Sequence, residues 1–261
     1  MGKLRQMANA LLEIRELEKR FGGVHAVKSL SLDIAAGEVV GLIGPNGSGK
    51  STSVNLISGT FPATSGKILF AGQDMTRMPI GERVKQGLAR TFQTTTLFGE
   101  FTLLEQVELA CHTRYNQPSW ADVLKISRAT IDRGIQRDKA EKILTLLGLD
   151  ALAAHYAAEV SSAQQRLLMI ATALATEPKL LLLDEPAAGM VAKERAELAV
   201  VIQKIRAQGI AVMVIEHHMG LIMEVCERIA VLNFGQKIAD DVPSIIRADP
   251  AVIEAYLGAS D

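Results

Sequence analysis

The fold is decided by the stretch Val39-Val40-Gly41-Leu42-Ile43-Gly44-Pro45-Asn46-Gly47-Ser48-Gly49-Lys50-Ser51. Its first five residues form a short apolar run typical of a buried strand, and residues 51–57 behind the glycines have the composition of a helix. The last eight residues match the pattern G-x-x-x-x-G-K-[ST] in full. Because a phosphate-binding loop lies between a strand and a helix, this stretch predicts such a loop.

Each residue type in the loop has a chemical reason. Glycines let successive backbone N–H groups turn toward phosphate oxygens, and the following helix directs its positive N-terminal end at them. Lys50 is expected to reach the β- and γ-phosphates of a nucleotide, and Ser51 to bind Mg²⁺. The alternative, a glycine-rich turn without a nucleotide, is disfavoured by the strand and helix on either side. The predicted nucleotide-binding residues are Gly44, Pro45, Asn46, Gly47, Ser48, Gly49, Lys50, Ser51 and Thr52.

Two adjacent acids follow a second apolar run. Residues 180–183 are all leucine, and Asp184 and Glu185 come directly after them. Ligands bind at the carboxyl ends of the strands in parallel sheets, where these acids are expected to lie. Asp184 is predicted to help hold Mg²⁺, and Glu185 to polarise an attacking water molecule. The alternative is a strand end with two solvated acids, which the phosphate-binding loop elsewhere in the chain disfavours.

The remaining pattern predicts an α/β fold. Short apolar strands alternate with helical stretches over residues 180–232, which implies a parallel sheet covered on both faces. Residues 12–34 alternate with period two around Gly22-Gly23 and predict a small antiparallel sheet. A charged helical stretch over about 103–147, interrupted at 116–118, predicts a separate lobe.

Composition disfavours several classes of protein. With 28 Lys+Arg against 29 Asp+Glu the net charge is −1, so no basic field predicts nucleic-acid binding. Cys111 and Cys226 have no metal-ligand or disulfide-framework spacing, which favours a reducing compartment. No apolar run approaches the roughly 20 residues that span a bilayer, and no secretory signal follows Lys3 and Arg5. The chain is therefore not expected to cross a membrane itself.

Five further segments occur in the order found in one family of ATPases. They are Phe21, Arg90-Thr91-Phe92-Gln93-Thr94, Ser161-Ser162-Ala163-Gln164-Gln165-Arg166, Ala187-Ala188-Gly189-Met190-Val191 and His217. With them, over essentially residues 12–258, the chain resembles an ATP-binding cassette (ABC) ATPase. The segments are similar to that family's adenine-stacking aromatic residue, glutamine loop, signature Leu-Ser-x-Gly-Gln, D-loop and switch histidine. The resemblance implies ATP and Mg²⁺ as cofactors.

The resemblance also implies roles for these residues. Phe21 would stack on adenine, Gln93 would contact Mg²⁺ and the attacking water, and His217 would stabilise charge on the phosphates. In ABC dimers each ATP lies between the phosphate loop of one subunit and the signature of the other. Ser161 and Gln164 are therefore expected to contact the ATP of a second subunit. A single Phe or Gln is weak evidence for a nucleotide-binding role, so the resemblance to ABC ATPases rests on the order of the segments.

Within that family the chain is similar to the ATPase subunit of branched-chain amino-acid importers. The segments that carry this similarity are residues 21–27, 89–93, 184–189, 215–219 and 249–258, with the helical stretch after Tyr115. The resemblance implies a second ATPase subunit, in a hetero- or homodimer, at the cytoplasmic face of two transmembrane permease subunits that a solute-binding protein supplies. Substrates of the wider group include leucine, isoleucine and valine, but also other amino acids and urea.

One ABC ATPase domain is expected over residues 1–261. Its nucleotide-binding core with the β-subdomain is placed at about 12–95 and 176–261, and a helical subdomain at about 96–175. A groove beside Gln93 and the helical part would receive a helix of the membrane subunit. Candidate apolar contacts in that groove are Leu97, Phe98 and Phe101, of which at least one is expected to be core.

Three residues depart from the family pattern. Ala163 replaces the signature glycine, Val191 stands where Asn or Asp is usual in the D-loop, and His218 replaces the Asp after the switch histidine. A Cβ at position 163 is unfavourable if φ is positive or if the gap to the γ-phosphate is tight. Two outcomes stay open: a weakened composite ATP site, or a tolerated methyl group with a modest loss of rate.

Other functions remain as alternatives. An ATPase of lipid or lipopolysaccharide export shares the core, but the stretch after Tyr115 and the C-terminal tail favour the importer. A soluble, non-transport ABC ATPase acting on ribosomes or DNA is disfavoured by the single cassette and neutral charge, and a small-molecule kinase by the ordered segments. The pair His217-His218 could bind a metal, but neighbouring residues after a strand are expected to point apart.

Overall fold

The computed structural model describes residues 10–91, 97–112 and 126–257. The strands in these ranges are β1 (Ala10–Phe21), β2 (Val24–Ala35), β3 (Val39–Ile43), β4 (Ser65–Phe70), β5 (Gln73–Asp74), β6 (Leu88–Thr91), β7 (Leu180–Asp184), β8 (Ala211–Ile215), β9 (Arg228–Asn233) and β10 (Gln236–Asp241). The helices are α1 (Lys50–Ser58), α2 (Ile80–Gln86), α3 (Leu103–His112), α4 (Ile126–Leu147), α5 (Ser162–Ala175), α6 (Ala192–Ala207), α7 (Met219–Val225), α8 (Pro243–Ala248) and α9 (Pro250–Leu257). A 3-10 turn (Asp150–Leu152) lies between α4 and α5.

The larger sheet confirms the predicted parallel arrangement. Its strand order is β10-β9-β3-β8-β7-β6, with parallel pairing from β9 to β6 and an antiparallel edge strand, β10. Every residue of β3, β7 and β8 is buried, which is why these strands read as continuous apolar runs. The carboxyl ends of β3 and β7, with β8 between them, bring the glycine-rich loop and the two acids to one edge of the sheet.

The smaller sheet is antiparallel, in the order β2-β1-β4-β5, as the sequence predicts for residues 12–34. Leu12 and Ile14 of β1 and Leu30 of β2 are buried in a core with α1 and with Leu182 of the larger sheet. The period-two pattern therefore places its apolar residues on the face that packs against α1 and the larger sheet.

Helices cover the other face of the larger sheet. One core joins Val107 of α3, Leu144 of α4 and Leu168 of α5 to the sheet, and Cys111 and Cys226 lie in it as free thiols. Helices α3 and α4 confirm the predicted helical stretch, whereas its break at 116–118 falls outside the described residues. Within the ranges described, no helix is both long and apolar enough to cross a bilayer.

Candidate functional site

The predicted phosphate loop, Gly44 to Ser51, follows β3 and runs into α1. Gly44 has a φ of 148°, and a Cβ there would lie 2.1 Å from the carbonyl oxygen of Leu232. Gly49 has a φ of 102°, and a Cβ there would lie 2.6 Å from the carbonyl oxygen of Ala26. Only glycine fits these two positions, because the loop is curled tightly between β9 and β2.

Lys50 folds back over this loop. Its Nζ donates hydrogen bonds to the carbonyl oxygens of Gly44, at 2.7 Å, and Pro45, at 2.9 Å. Burial lowers the pKa of Lys50, because it disfavours the charged amine, and the negative charge of Glu185 acts against this shift. Phosphate oxygens are strong acceptors for such a half-buried cation, so the geometry fits the predicted contact with phosphates.

A cavity of about 620 Å³ lies above the loop, within the size range of small-molecule sites. Ser48 is only 2% exposed, and its hydroxyl makes no hydrogen bond to the described residues. A buried polar atom of this kind calls for an outside partner, which supports a phosphate group as the occupant. The lining residues are Gly23, Val24, His25, Ala26, Lys28, Asn46, Gly47, Ser48, Gly49, Lys50, Ser51, Thr52, Glu185 and Phe234.

The described residues that line the cavity do not include Phe21. Its ring packs edge-on against Phe61 with a centroid distance of 5.5 Å, and Nζ of Lys19 lies 4.8 Å from its centroid. An aromatic residue missed in the sequence, Phe234, lines the cavity and is 77% exposed with a φ of 46°. The adenine contact of Phe21 stays a prediction.

The acidic pair lies at the carboxyl end of β7, as predicted. Asp184 is 8% exposed, and its Oδ2 accepts a hydrogen bond from Nη2 of Arg90 at 2.7 Å. Glu185 has a φ of 48°, a left-handed conformation that costs a residue with a Cβ about 1–2 kcal/mol. Its backbone N–H donates to the carbonyl oxygen of Ile215 at 2.9 Å. The strain at Glu185 is held by the neighbouring strand and marks it as a candidate functional residue.

Glu216 is a buried carboxylate for which the sequence predicts no role. It is 1% exposed, and its Oε1 accepts a hydrogen bond from the backbone N–H of Ala187 at 2.8 Å. Its Oε2 accepts from the backbone N–H groups of His217, at 3.1 Å, and His218, at 3.3 Å. Glu216 therefore ties the segment that resembles the D-loop to the predicted switch histidine. Its only signal in the sequence is an acid directly after a buried strand.

The positions of His217 and His218 contradict the prediction that their side chains point apart. The rings of His217 and His218 are stacked, with centroids 5.0 Å apart and planes at 29°, whereas the sequence predicts side chains that point apart. That prediction is wrong because β8 ends at Ile215, so the alternation of a strand no longer applies. Across the described ranges, no group of three His, Cys, Asp or Glu residues could hold a metal ion.

The signature-like segment begins helix α5. The Oγ of Ser161 accepts a hydrogen bond from the N–H of Gln164 at 3.3 Å, and Oε1 of Gln164 accepts one from the N–H of Ser161 at 2.8 Å, which forms a capping box. Ala163 is the second residue of the helix and does not have a positive φ. The positive φ that would strain an alanine is therefore absent at position 163, and what remains of the expected penalty is the volume of the methyl group.

The D-loop-like segment ends at Val191, the residue before α6. Val191 is 62% exposed and provides no side-chain hydrogen bond to the helix, although Asn or Asp at this position would do so. Its backbone N–H donates instead to Oε2 of Glu194 at 2.9 Å. The substitution therefore leaves α6 with a weak N-terminal cap and an apolar surface residue.

The C-terminal helix α9 reaches the phosphate loop. Burial raises the pKa of the Tyr256 hydroxyl, and the nearby backbone of Gly44 acts against this rise. A second cavity, of about 600 Å³, lies between the loop residues 45–48 and α9. Helix α9 therefore packs beside the phosphate loop and forms part of the structure around the site.

The structure brings together some of the predicted residues. Lys50, Ser51 and Glu185 line one cavity. Ser161 and Gln164 are not among the described residues of that lining, and their contacts with the ATP of a second subunit stay a prediction. Gln93 falls outside the described residues, so its contacts with Mg²⁺ and water stay a prediction.

Comparison with known proteins gives matches along nearly the whole chain. A profile of the ABC transporter family matches residues 27–188, and one described as "Branched-chain amino acid ATP-binding cassette transporter" matches residues 236–261. The high-affinity branched-chain amino acid transport ATP-binding protein BraF of Pseudomonas aeruginosa is 37% identical over 253 residues, which cover 97% of this chain and 99% of BraF.

Two solved structures extend the comparison to three dimensions. The ADP conformation of an ATP-binding cassette of an ABC transporter has a TM-score of 0.82 and 31% identity, over 95% of this chain and 99% of the other. A dimeric post-hydrolysis state of an ATP-binding cassette bound to ADP and Pi has a TM-score of 0.73 and 26% identity, over 89% of this chain and 98% of the other. Both similarities support the overall fold described above.

Proposed function

This chain belongs to the ATP-binding cassette (ABC) transporter family, and we propose that it is the ATP-hydrolysing subunit of an importer for branched-chain amino acids. The observation that carries the substrate class is the C-terminal segment, residues 236–261, which matches the profile of branched-chain cassettes. The placement of Tyr256 beside Gly44 supports a functional tail, because it links that segment to the phosphate loop.

The residues around the cavity support a division of tasks in hydrolysis. The hydroxyl of Ser51 and the carboxylate of Asp184 would hold Mg²⁺, which prefers oxygen ligands and would supply positive charge to neutralise the phosphates. Glu185 would orient the attacking water and accept its proton. Lys50 and His217 would stabilise the charge that develops on the γ-phosphate. Gln93 is proposed as a further contact to the ion and the water.

A second ATPase subunit, equal or different, is part of the proposal. Ser161 and Gln164 lie outside the described lining of this chain's own cavity, which leaves them available to complete the site of a second subunit. The dimeric cassette that superposes on 89% of this chain supports the same arrangement. Ala163 would then influence hydrolysis at the partner's ATP and not at this chain's own.

An apolar groove supports contact with transmembrane permease subunits. A cavity of about 190 Å³ lies between α2, β6 and α5, and Ile80 and Met169 are among its lining residues. Phe98 and Phe101 are exposed with ring centroids 5.3 Å apart, whereas Leu97 packs against the core. We therefore place the membrane contact at this groove, next to the proposed helical subdomain, and the chain at the cytoplasmic face of the membrane.

Uptake of radiolabelled leucine tests the proposal, in cells whose own copy of this chain is replaced by variants. Glu185→Gln should abolish uptake and lower ATP hydrolysis by about 10²- to 10⁴-fold, since it removes the proposed base, while ATP still binds. Glu224→Gln is the matched control, because Glu224 is exposed on α7 and should change neither measurement.

Each contrary result identifies a different error. Unchanged hydrolysis in Glu185→Gln would contradict the role of that carboxylate. Lost hydrolysis with normal leucine, isoleucine and valine uptake would contradict the substrate class. Lost export of lipid or lipopolysaccharide under the same conditions would favour the export alternative.

A further inference from the structure

Arg90 is a buried cation to which the hydrolysis scheme assigns no task. Its Nη2 donates a hydrogen bond to Oδ2 of Asp184 at 2.7 Å. Its Nη1 donates to Oδ1 of Asn55 at 2.7 Å and to Oγ of Ser58 at 3.0 Å, both on α1. The side chains of Arg90 and Asp184 are each 8% exposed. One guanidinium therefore joins the helix of the phosphate loop to the acid at the end of β7.

These contacts fix the direction of the Asp184 carboxylate. The guanidinium of Arg90 is planar and anchored through a second nitrogen, so it cannot rotate without breaking hydrogen bonds. Separating a buried ion pair is also strongly unfavourable. The pair uses Oδ2 of Asp184, and a carboxylate can bind Mg²⁺ through one oxygen, which leaves Oδ1 for the ion.

We propose that Arg90 is a positioning residue, which holds Oδ2 of Asp184 and thereby sets the orientation in which that carboxylate binds Mg²⁺. Arg90 acts through Asp184 and does not touch the nucleotide. The inference rests on the proposed function, in which Asp184 is a metal ligand. Arg90 also lines the apolar groove assigned to the membrane subunit, so one side chain lies between that groove and the metal-binding acid.

A purely structural ion pair is the competing explanation. Arg90 connects β6, β7 and α1, so its loss would destabilise the chain even if the metal site were unaffected. Arg228 provides a matched control, because its side chain is 13% exposed and pairs with Glu38 and Asp240. It lies at the start of β9, the opposite end of the sheet from the phosphate loop.

Binding of Mn²⁺, a paramagnetic substitute for Mg²⁺, separates the two explanations. The full chain carries Glu185→Gln to prevent turnover, is loaded with ATP, and is titrated with Mn²⁺ by electron paramagnetic resonance. Arg90→Gln is expected to weaken Mn²⁺ binding by about 10- to 100-fold, the usual effect of removing a residue that orients a metal ligand. ATP binding in EDTA should stay unchanged, and Arg90→Lys should recover part of the Mn²⁺ affinity. Arg228→Gln should lower the urea midpoint and leave Mn²⁺ affinity unchanged.

Two further variants keep the test decisive. Asp184→Asn has to weaken Mn²⁺ binding; if it does not, the proposed metal site is wrong, which is a separate failure from that of Arg90. If Arg90→Gln does not fold, Asn55→Ala removes only an anchor of Arg90, and a smaller loss of Mn²⁺ affinity supports the proposal. Wild-type affinity in the Arg90 and Asn55 variants, or an equal loss in Arg228→Gln, overturns it.

Discussion

Two regions of the molecule differ in how far they follow the family pattern. The nucleotide-binding half contains Lys50 and Glu185, and the partner-facing side contains Ala163 and Val191. In the first half Lys50, Asp184 and Glu185 all match the family pattern, and buried contacts such as those of Glu216 hold the loops that carry the site. On the second face Ala163 and Val191 depart from that pattern, and Val191 is largely exposed. Buried contacts within this chain hold the first half, whereas the second face carries both departures from the pattern and is the face proposed to meet a second subunit.

Glu216→Gln is expected to have the largest effect on stability and ATP hydrolysis, because it removes buried hydrogen bonds that hold the loops of the nucleotide-binding half. Glutamine keeps one acceptor oxygen, so it loses the bond from Ala187 or those from His217 and His218. A buried N–H left unpaired should lower the free energy of unfolding by about 1–3 kcal/mol and reduce ATP hydrolysis. Urea denaturation measures the loss, and Glu197→Gln, an exposed site on α6, is the control. Wild-type stability in Glu216→Gln would remove the physical basis of the comparison.

Ala163→Gly, on the partner-facing side, should have an intermediate effect, which is measured as ATP hydrolysis by the reconstituted dimer. If the methyl group obstructs the partner's γ-phosphate by about 1 kcal/mol, the glycine variant should raise hydrolysis by the reconstituted dimer about fivefold. Glycine also weakens the helix by about 1 kcal/mol, and Ala196→Gly, at an exposed position of α6, controls for that loss. Unchanged dimer hydrolysis would contradict the idea of one weak composite site and favour a tolerated methyl group.

Val191→Asn should have the smallest effect, and it should be stabilising. An Asn side chain can accept a hydrogen bond from the first turn of α6, which Val191 does not provide, and should add about 1 kcal/mol to the free energy of unfolding. Thermal denaturation measures the gain. Val200→Asn, on an exposed position within the same helix, should show no gain. Equal shifts in the two variants would mean that the cap is not the cause.

Predictions from the sequence succeeded where the chemistry is local. The pattern of Gly44 to Ser51, the acids after a leucine run and the period-two strands concern neighbouring residues, and the structure confirms the elements they predict. The prediction that the side chains of His217 and His218 point apart was wrong, because β8 ends at Ile215, before both residues. The contacts of Gln93 and the subdomain boundaries near residues 95 and 175 stay predictions.

Arg90 and Glu216 were missed because their partners are remote in sequence. Arg90 meets Asp184 across 94 positions, and Glu216 meets Ala187 across 29. Such pairs can be predicted only when the order of β6, β7 and β8 in the sheet is known. No local sequence pattern encodes that order.

The sequence by itself determined the phosphate loop, the acid pair and the family resemblance, because glycines, a lysine and a buried leucine run act through their own backbone and immediate neighbours. Only the tertiary structure decided that Glu185 is strained, that Ala163 has helical backbone geometry and that Arg90 orients toward Asp184. Backbone strain and buried ion pairs depend on which elements pack together, and packing is a property of the folded chain as a whole.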